Sequence, residues 1–471
     1  MTTVTRPGLF GRRGGSPAEG WTVASVGQWL RSPVAPYYLV LASTSLLVGL
    51  GLVMVLSASS VSSYAEDGNS YLVFLDQLMY AGVGLVLAVA ASRVPVRWWK
   101  RLAWPGIIGA LVLQGLVFSP LGLDSFQGNR NWLSIGGRTV QPSEFGKLAL
   151  VVFGAAVLAT KRRLIHKIAH ATIPLIFPVG IVLLGLVLQG NDLGTGMIMV
   201  AILGGLLWTA GLPARWFVGV GAVAAAGIAF LAAGSANRMQ RIQVWLGDIC
   251  SGPQVAGCYQ KVHAEYALAD GGWWGLGLGE SREKWGILPE PHNDFILAII
   301  GEELGLPGTV GVLLLFAVLA YACFRIVHQS EDMFTRLAAS GVMVWFLAQA
   351  MVNIGSVIGM LPIIGVPLPL VSSGGSALVA AMTGVGLLLA LARSLPGAGE
   401  ALGGRTSTLR RTLAAVPSAE SGPRAGARAR RSSGPARTAR PAQAARSTTR
   451  APRTHDALGR TRRGHGSRGG R

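Results

Sequence analysis

Ten runs of apolar residues constrain this chain more than any other feature. They fall at about 37–58, 71–92, 102–121, 144–160, 171–189, 195–212, 213–233, 295–325, 336–357 and 376–393. Each is close to the roughly 20 residues that cross a hydrocarbon core as an α-helix. A lipid interior offers no partner to an unpaired backbone group, so continuous runs of this length read as helices. The expected fold is an all-α polytopic integral membrane protein with about ten transmembrane helices. Between the sixth and seventh runs only Gly211-Leu212-Pro213 intervenes, which predicts a tight hairpin.

Charged residues make up 13% of the 471, about half the ~25% usual in soluble domains. That balance argues against a disordered chain and against an ordinary soluble enzyme. Seven histidines and three cysteines exclude a disulfide scaffold and a Cys-rich zinc protein. The net charge of +20 is uneven: +3 over residues 1–35, +3 over 36–393 and +14 over 394–471, where seventeen Arg face three acids. Three regions follow: a polar N-terminal tail (1–35), a membrane domain (36–393) and an Arg-rich C-terminal tail (394–471). The first region lacks the apolar run of a cleavable signal peptide, so the first span is expected to act as an uncleaved signal anchor. The last is too poor in large apolar residues to fold. It reads either as a tail drawn to anionic inner-leaflet lipid, at about 1 kcal/mol per Arg, or as an arm for an acidic cytoplasmic partner. It lacks the aromatic residues that stack on nucleic acid, so no nucleic-acid partner is expected.

Lys and Arg in short loops set the orientation. With the N-terminus inside, the inner loops hold Arg93, Arg97, Lys100, Arg101, Lys161, Arg162, Arg163, Lys167, Arg215, Arg325 and Arg336, and the short outer loops 59–70, 190–194 and 358–375 hold none. Both termini are then cytoplasmic. Two outer loops break the pattern. Loop 122–143 carries Arg130 and Arg138; loop 234–293, the largest, carries Arg238, Arg241, Lys261, Arg282 and Lys284. Cations carried outward against the usual bias point to an anionic ligand there.

Four polar clusters interrupt the apolar pattern. Gln141-Pro142-Ser143-Glu144-Phe145-Gly146-Lys147 opens the fourth run. Pro142 suits a first helical turn, and Glu144 favours the positive helix start. Glu144 and Lys147, three apart, share a face; they are an internal ion pair of a capped helix, or a functional pair at membrane depth. Leu288-Pro289-Glu290-Pro291-His292-Asn293-Asp294-Phe295 closes the largest outer loop. Asp294 there is either a helix cap or a general base at the membrane surface. The third cluster runs from Asn353-Ile354-Gly355 through Leu361–Pro369 to Ser372-Ser373-Gly374-Gly375-Ser376. Its prolines forbid a regular helix, leaving a plain outer loop or backbone that lines a cavity. Asp192 in Asn191-Asp192-Leu193-Gly194-Thr195 is a cap or a fourth site. Cys250 and Cys258 share loop 234–293 and suit a disulfide on the oxidising side. No metal-spaced histidines, Gly-rich phosphate loop or Walker lysine is present, so no nucleotide cofactor is expected.

In order along the chain, the following blocks resemble the SEDS family (shape, elongation, division and sporulation): Trp132 with Gly136; Gln141–Phe145 with Lys147; Asp192–Thr195; Arg238 with Arg241-Ile242; Gly275–Gly279; Leu288-Pro289-Glu290 with His292 and Asp294-Phe295; Gly301–Gly305; and Gly365–Pro369 through Gly374–Ser376. The resemblance covers about residues 37–393. Gly279, Ser281, Lys284, Ile299–Glu303 and the long polar tails are more similar to division-type members than to elongation-type ones. Asn131, Asn191, Asn293 and Ser373 depart from residues common in the family.

The resemblance implies a peptidoglycan glycosyltransferase of the plasma membrane at the division septum. It would polymerise lipid II into β-1,4 glycan on undecaprenyl diphosphate, with inversion at the anomeric carbon. By the same resemblance Asp294 is the general base. Arg130, Arg138, Arg238, Arg241, Lys261 and Lys284 hold the diphosphate, and Glu144 and Lys147 order the cavity. Trp132, Asp192, Glu290, His292, Ser372 and Ser373 complete the substrate site. A divalent cation, Mg²⁺ or Mn²⁺, is the expected cofactor. A class B penicillin-binding protein, which crosslinks the strand, is the expected partner, with other division proteins, among them the tubulin-like ring protein through the C-terminal tail. Three alternatives stand beside this reading: a flippase that moves lipid II across the membrane, an elongation-type polymerase, and a scaffold whose tails recruit division proteins.

Overall fold

The computed structural model describes residues 23–123, 129–165, 167–234, 236–247 and 256–402. The chain folds as an all-α bundle. Eight described helices are long and apolar enough to cross a membrane. They are α2 (Ala35–Asp67), α3 (Leu72–Arg93), α5 (Pro142–Thr160), the broken segment through α7 (Ile181–Gln189), α8 (Leu193–Ala210), α12 (Ile296–Gln329), α13 (Met333–Val357) and α14 (Gly375–Arg393). The other two expected runs are helical as well: α4 (Val96–Leu116), which begins with Arg97, Lys100 and Arg101, and α9 (Ala214–Ala233). The chain is a multi-pass membrane protein.

Local chemistry sets the helix ends. α8 begins where the Asp192 carboxylate accepts from the Thr195 N–H at 2.9 Å and stops at Gly211, whose φ of 94° no larger residue adopts easily. Pro213 then allows the tight turn into α9 that the sequence predicts. α13 is capped in the same way by Asp332 on Thr335. Small residues set the closest packing. A Cβ on Gly386 of α14 would lie 2.5 Å from the carbonyl of Ala88 of α3, so glycine is what lets these helices meet. α13 lies centrally against α5, α8 and α12, and its Trp345 and Phe346 are buried in the core.

The structure departs from the sequence reading in five places. Both tails carry structure next to the membrane domain: α1 (Val23–Arg31) precedes the first span, and Leu395 and Ala398, in the region expected to be an unfolded C-terminal tail, are buried in the core. The run at 171–189 is not one helix: α6 (Ile168–Thr172) and a wide turn at Leu175–Gly180 precede α7, because Pro174 and Pro178 each lack an N–H. Loop 122–143 holds a small antiparallel sheet of β1 (Gly122–Leu123), β2 (Trp132–Ile135) and β3 (Arg138–Val140). Loop 234–293 holds two helices, α10 (Ala236–Leu246) and α11 (Ala256–Gly271).

The fifth departure is inside α12, which breaks at Gly305 (φ 66°, ψ −158°). Pro307 has no N–H to give the carbonyl of Glu303, and the Leu306 N–H turns away to Gly272. The stranded carbonyls of Glu302 and Glu303 accept instead from Leu276 and Gly277, at 2.9 and 3.0 Å. The segment after α11 is thereby sewn into the break.

Candidate functional site

A cavity of about 650 Å³ opens at one end of the bundle. The strongly basic loops holding Arg93–Arg101 and Lys161–Lys167 lie at the opposite, basic end. The cavity is walled by the β2–β3 hairpin, the first turns of α5 and α8, α10, the turn before α12 and the irregular segment 358–374. The side chain of Asn353, one of the anchors of its floor, stands about 30 Å along α13 from Met333 at 1.5 Å per residue. That distance is one hydrocarbon thickness, so the floor sits at the membrane boundary.

Asp294 is at this floor, and it is not a helix cap: the residue at the cap of α12 is Phe295 and carries no side-chain cap bond. Its backbone is fixed from three sides. The Asn353 amide donates to the Asp294 carbonyl and to the Val366 carbonyl, both at 2.8 Å. The Ser372 hydroxyl donates to the Asn293 carbonyl at 2.7 Å while accepting from the Leu368 N–H at 2.8 Å. The Ser373 N–H donates to the His292 carbonyl at 2.9 Å. The irregular segment and the turn that carries Asp294 therefore form one sewn unit. Nothing described holds the Asp294 carboxylate itself by a hydrogen bond or ion pair. Burial, then the charge of nearby Glu290, pushes its pKa up to about 6, opposed by Arg241. Glu290 takes the left-handed conformation (φ 54°), and its carboxylate accepts from the Asn293 amide at 2.6 Å. His292 is driven toward its neutral form by burial, and its Nδ1 is buried without a partner.

The cavity brings together Asp294, Glu290, Arg241, Trp132, Asp192, Glu144 and Ser373 from six separate elements of sequence. The Arg241 guanidinium is steered by a bond to the Ile363 carbonyl at 3.2 Å. Asp192 both caps α8 and accepts from the Gln141 amide at 3.0 Å, which locks the start of α5 to the start of α8. Beneath the floor, Lys147 donates to Glu144 at 2.9 Å and to Gln349 at 2.8 Å, with the pair 1% and 3% exposed.

Other residues expected at the site lie elsewhere. Arg138 is exposed and pairs with Asp76 at 3.2 Å. Lys284 is buried against Glu303 and the Gly279 carbonyl. Lys261 lines a small separate pocket with Trp245 and Ser356, which it shares with Arg241. Ser372 and Lys147 are buried behind the wall. Arg130 donates its backbone N–H to Gly190 beside the cavity. Arg238 falls within α10, and its side chain is outside those described. Cys258, buried near the start of α11, is disulfide-bonded, and its expected partner Cys250 lies outside the described residues.

Sequence reasoning missed Gln349, Gln77 and Tyr80. Gln349 joins Lys147 to the Pro367 carbonyl (3.0 Å), and Gln77 holds the Ser372 carbonyl and the Gly374 N–H. For Gln349 the signal available was a lone amide inside an apolar run, which is costly unless paired.

The chain as a whole is similar to known proteins. The family model of cell cycle proteins built on FtsW, RodA and SpoVE matches residues 37–396. A Mycobacterium tuberculosis protein named probable peptidoglycan glycosyltransferase FtsW is 40% identical over 389 residues, 82% of this chain and 74% of that one. The stage V sporulation protein E of Bacillus subtilis is 35% identical over 360 residues, 76% of this chain and 97% of that one. Among solved structures, a chain of a peptidoglycan synthase complex that coordinates polymerization and crosslinking superposes with a TM-score of 0.61 at 26% identity, covering 75% of this chain and 96% of that one. The rod shape determining protein RodA of Thermus thermophilus gives 0.56 at 26% identity, covering 78% and 99%.

Proposed function

The chain belongs to the FtsW, RodA and SpoVE family of cell cycle proteins, and on that premise we propose that it is a peptidoglycan glycosyltransferase polymerising lipid II. The observation that carries the reading is Asp294: a carboxylate with no hydrogen bond or ion pair among the described residues, raised to about 6, facing a cavity of about 650 Å³ at the membrane boundary. A lipid-anchored sugar diphosphate presents its reacting bond at that level. Asp294 takes the proton from the acceptor sugar's 4-hydroxyl as its oxygen attacks the donor's anomeric carbon. The bond from that carbon to the diphosphate breaks, and the stereochemistry inverts. Arg241 is placed to meet the charge that develops on the leaving diphosphate. Trp132 offers an aromatic wall to the sugar.

The expected divalent cation is best assigned to the substrate. Among the described residues no three His, Cys, Asp or Glu side chains come together as a metal set. Mg²⁺ commonly binds through substrate phosphates with one or two carboxylates, so an ion would arrive on the diphosphate.

Division is favoured over elongation by the FtsW names of relatives such as the mycobacterial one. A class B penicillin-binding protein is the proposed partner, in keeping with a structural relative that belongs to a synthase complex. Recruitment by the ring protein through the Arg-rich tail concerns residues 394–471, of which 403–471 lie outside those described; deleting 403–471, which leaves the buried Leu395 and Ala398 in place, should leave polymerisation intact and reduce septal recruitment. Flipping of lipid II would need a path on through the floor, where Glu144, Lys147 and Trp345 are buried together.

The test is a polymer assay on purified protein with lipid II and Mg²⁺ or Mn²⁺, with and without the transpeptidase, comparing wild type with Asp294→Asn. Glycan from wild type alone supports the reading. Equal glycan from both removes Asp294 as base. None from either, even with the partner, moves the weight to a transporter or scaffold.

A further inference from the structure

The segment sewn into the break of α12 carries a second surface. Trp273, Trp274 and Trp285 are 74%, 86% and 68% exposed, and Leu278 beside them is 60% exposed. Three bare indoles on one short segment are costly in water, so their level in the membrane decides what covers them. From Gly305 to the basic end of α12 at Gln329 is about 36 Å at 1.5 Å per residue. Ser57, whose hydroxyl donates to Glu303 at 2.6 Å, is about 33 Å along α2 from Ala35. Both measures place the segment just beyond a hydrocarbon core of about 30 Å. That is the headgroup layer of the leaflet on the cavity side, where amphipathic aromatic rings concentrate.

The apolar face of α12 continues the surface inward: Leu306, Val310, Leu313 and Leu314 are exposed immediately past the break, toward the hydrocarbon. The segment is held rigidly at its level. Ser281 donates to Glu302 at 2.6 Å, the Arg282 N–H donates to the other oxygen of Glu302 at 2.7 Å, and Lys284 bonds the Gly279 carbonyl at 2.5 Å and Glu303 at 3.4 Å.

We infer that residues 271–286 form an interfacial ledge whose occupant is the lipid headgroup layer on the cavity side, bound through Trp273, Trp274 and Trp285. Glu302 and Glu303 lie on the helical stretch that begins beside Asp294, so the ledge also fixes the height of the reacting carboxylate over the bilayer. The ledge rests on the membrane reading alone and stands or falls apart from the polymerase activity.

The test uses the full chain, labelled with fluorotryptophan, in nanodiscs of phosphatidylethanolamine and phosphatidylglycerol. Trp273→Phe, Trp274→Phe and Trp285→Phe assign the three resonances. A lipid spin-labelled near the top of its acyl chain is expected to broaden all three beyond detection, while a water-soluble gadolinium chelate leaves them visible. Loss with the chelate and persistence with the lipid label would place the indoles in water and overturn the ledge. Persistence with both would place them against another protein and overturn it equally.

Discussion

The Asp294 carboxylate stands against the backbone of Gly365: a Cβ built on that glycine would lie 3.4 Å from Oδ2. Gly365 has φ of 78°, a conformation that costs an L-residue about 1–2 kcal/mol. Gly365→Ala therefore strains the backbone beside the Asp294 carboxylate, the methyl itself meeting Oδ2 at ordinary van der Waals distance, and relief of that strain would shift the segment facing Asp294. A displacement of about 1 Å at a reacting group can cost on the order of 100-fold in rate. The expected outcome is a large fall in the polymerisation rate with only a modest drop in Tm. A wild-type rate for Gly365→Ala would show that the glycine does not shape the approach to Asp294.

The raised pKa of Asp294 fixes the sign of the pH dependence. A base must be unprotonated, so activity should hold above about 6 and fall about tenfold per pH unit below it. Burial is the largest cause, so no single substitution restores an ordinary value. Glu290 raises the pKa further and Arg241 lowers it. Glu290→Gln should move the acid limb of the kcat/KM profile to lower pH, and Arg241→Gln should move it to higher pH. Asp294→Asn should cost on the order of 100- to 10,000-fold. An acid limb that stays in place in both charge variants would assign it to another group.

The Glu144–Lys147 pair tests the buried chemistry beneath the floor. Removing one partner of a buried ion pair costs about 3–5 kcal/mol, whereas replacing both by apolar groups can be neutral. Lys147→Met should lower Tm in detergent sharply, and Glu144→Gln combined with Lys147→Met should recover most of it. A double variant as unstable as the single one would mean that Lys147 acts through Gln349 and Trp345 rather than through Glu144.

The helices and the cavity carboxylates were legible in the sequence for a plain physical reason. Apolar runs have no other solution in lipid, and Asp294, Asp192 and Glu144 stand out because each sits in a polar cluster at the end of an apolar run. The two caps could not be separated from function by sequence: Asp192 does cap α8 while also facing the cavity, but Asp294 caps nothing. The expectation that outer cations gather around one anion did not distinguish Arg241 from Lys284, because pairing depends on distant residues. Glu303 and Ser57, which hold Lys284 in place, lie 19 and 227 positions away. The apolar and polar residues of α11 show no face, so the sequence pattern there reads as loop and only packing on α12 reveals the helix. The break in α12 was readable from Gly305 and Pro307, two residues apart in one apolar run.

Gln349 offers the sharpest separation of packing from positioning. Its Oε1 accepts from Lys147 at 2.8 Å and from the Trp345 indole at 2.9 Å, while its amide donates to the Pro367 carbonyl at 3.0 Å. Pro367 follows Val366, which Asn353 ties to the Asp294 carbonyl. Gln349→Leu strands two buried donors and one acceptor, at about 1–3 kcal/mol each, and should lower Tm and activity together. Gln349→Glu keeps the acceptor for Lys147 and Trp345 but, when ionised, cannot donate to Pro367. It should therefore keep most of the stability while lowering kcat more than it raises KM, because only the segment facing Asp294 is released. Equal loss of stability in both variants, with kcat following Tm, would reduce Gln349 to a packing residue.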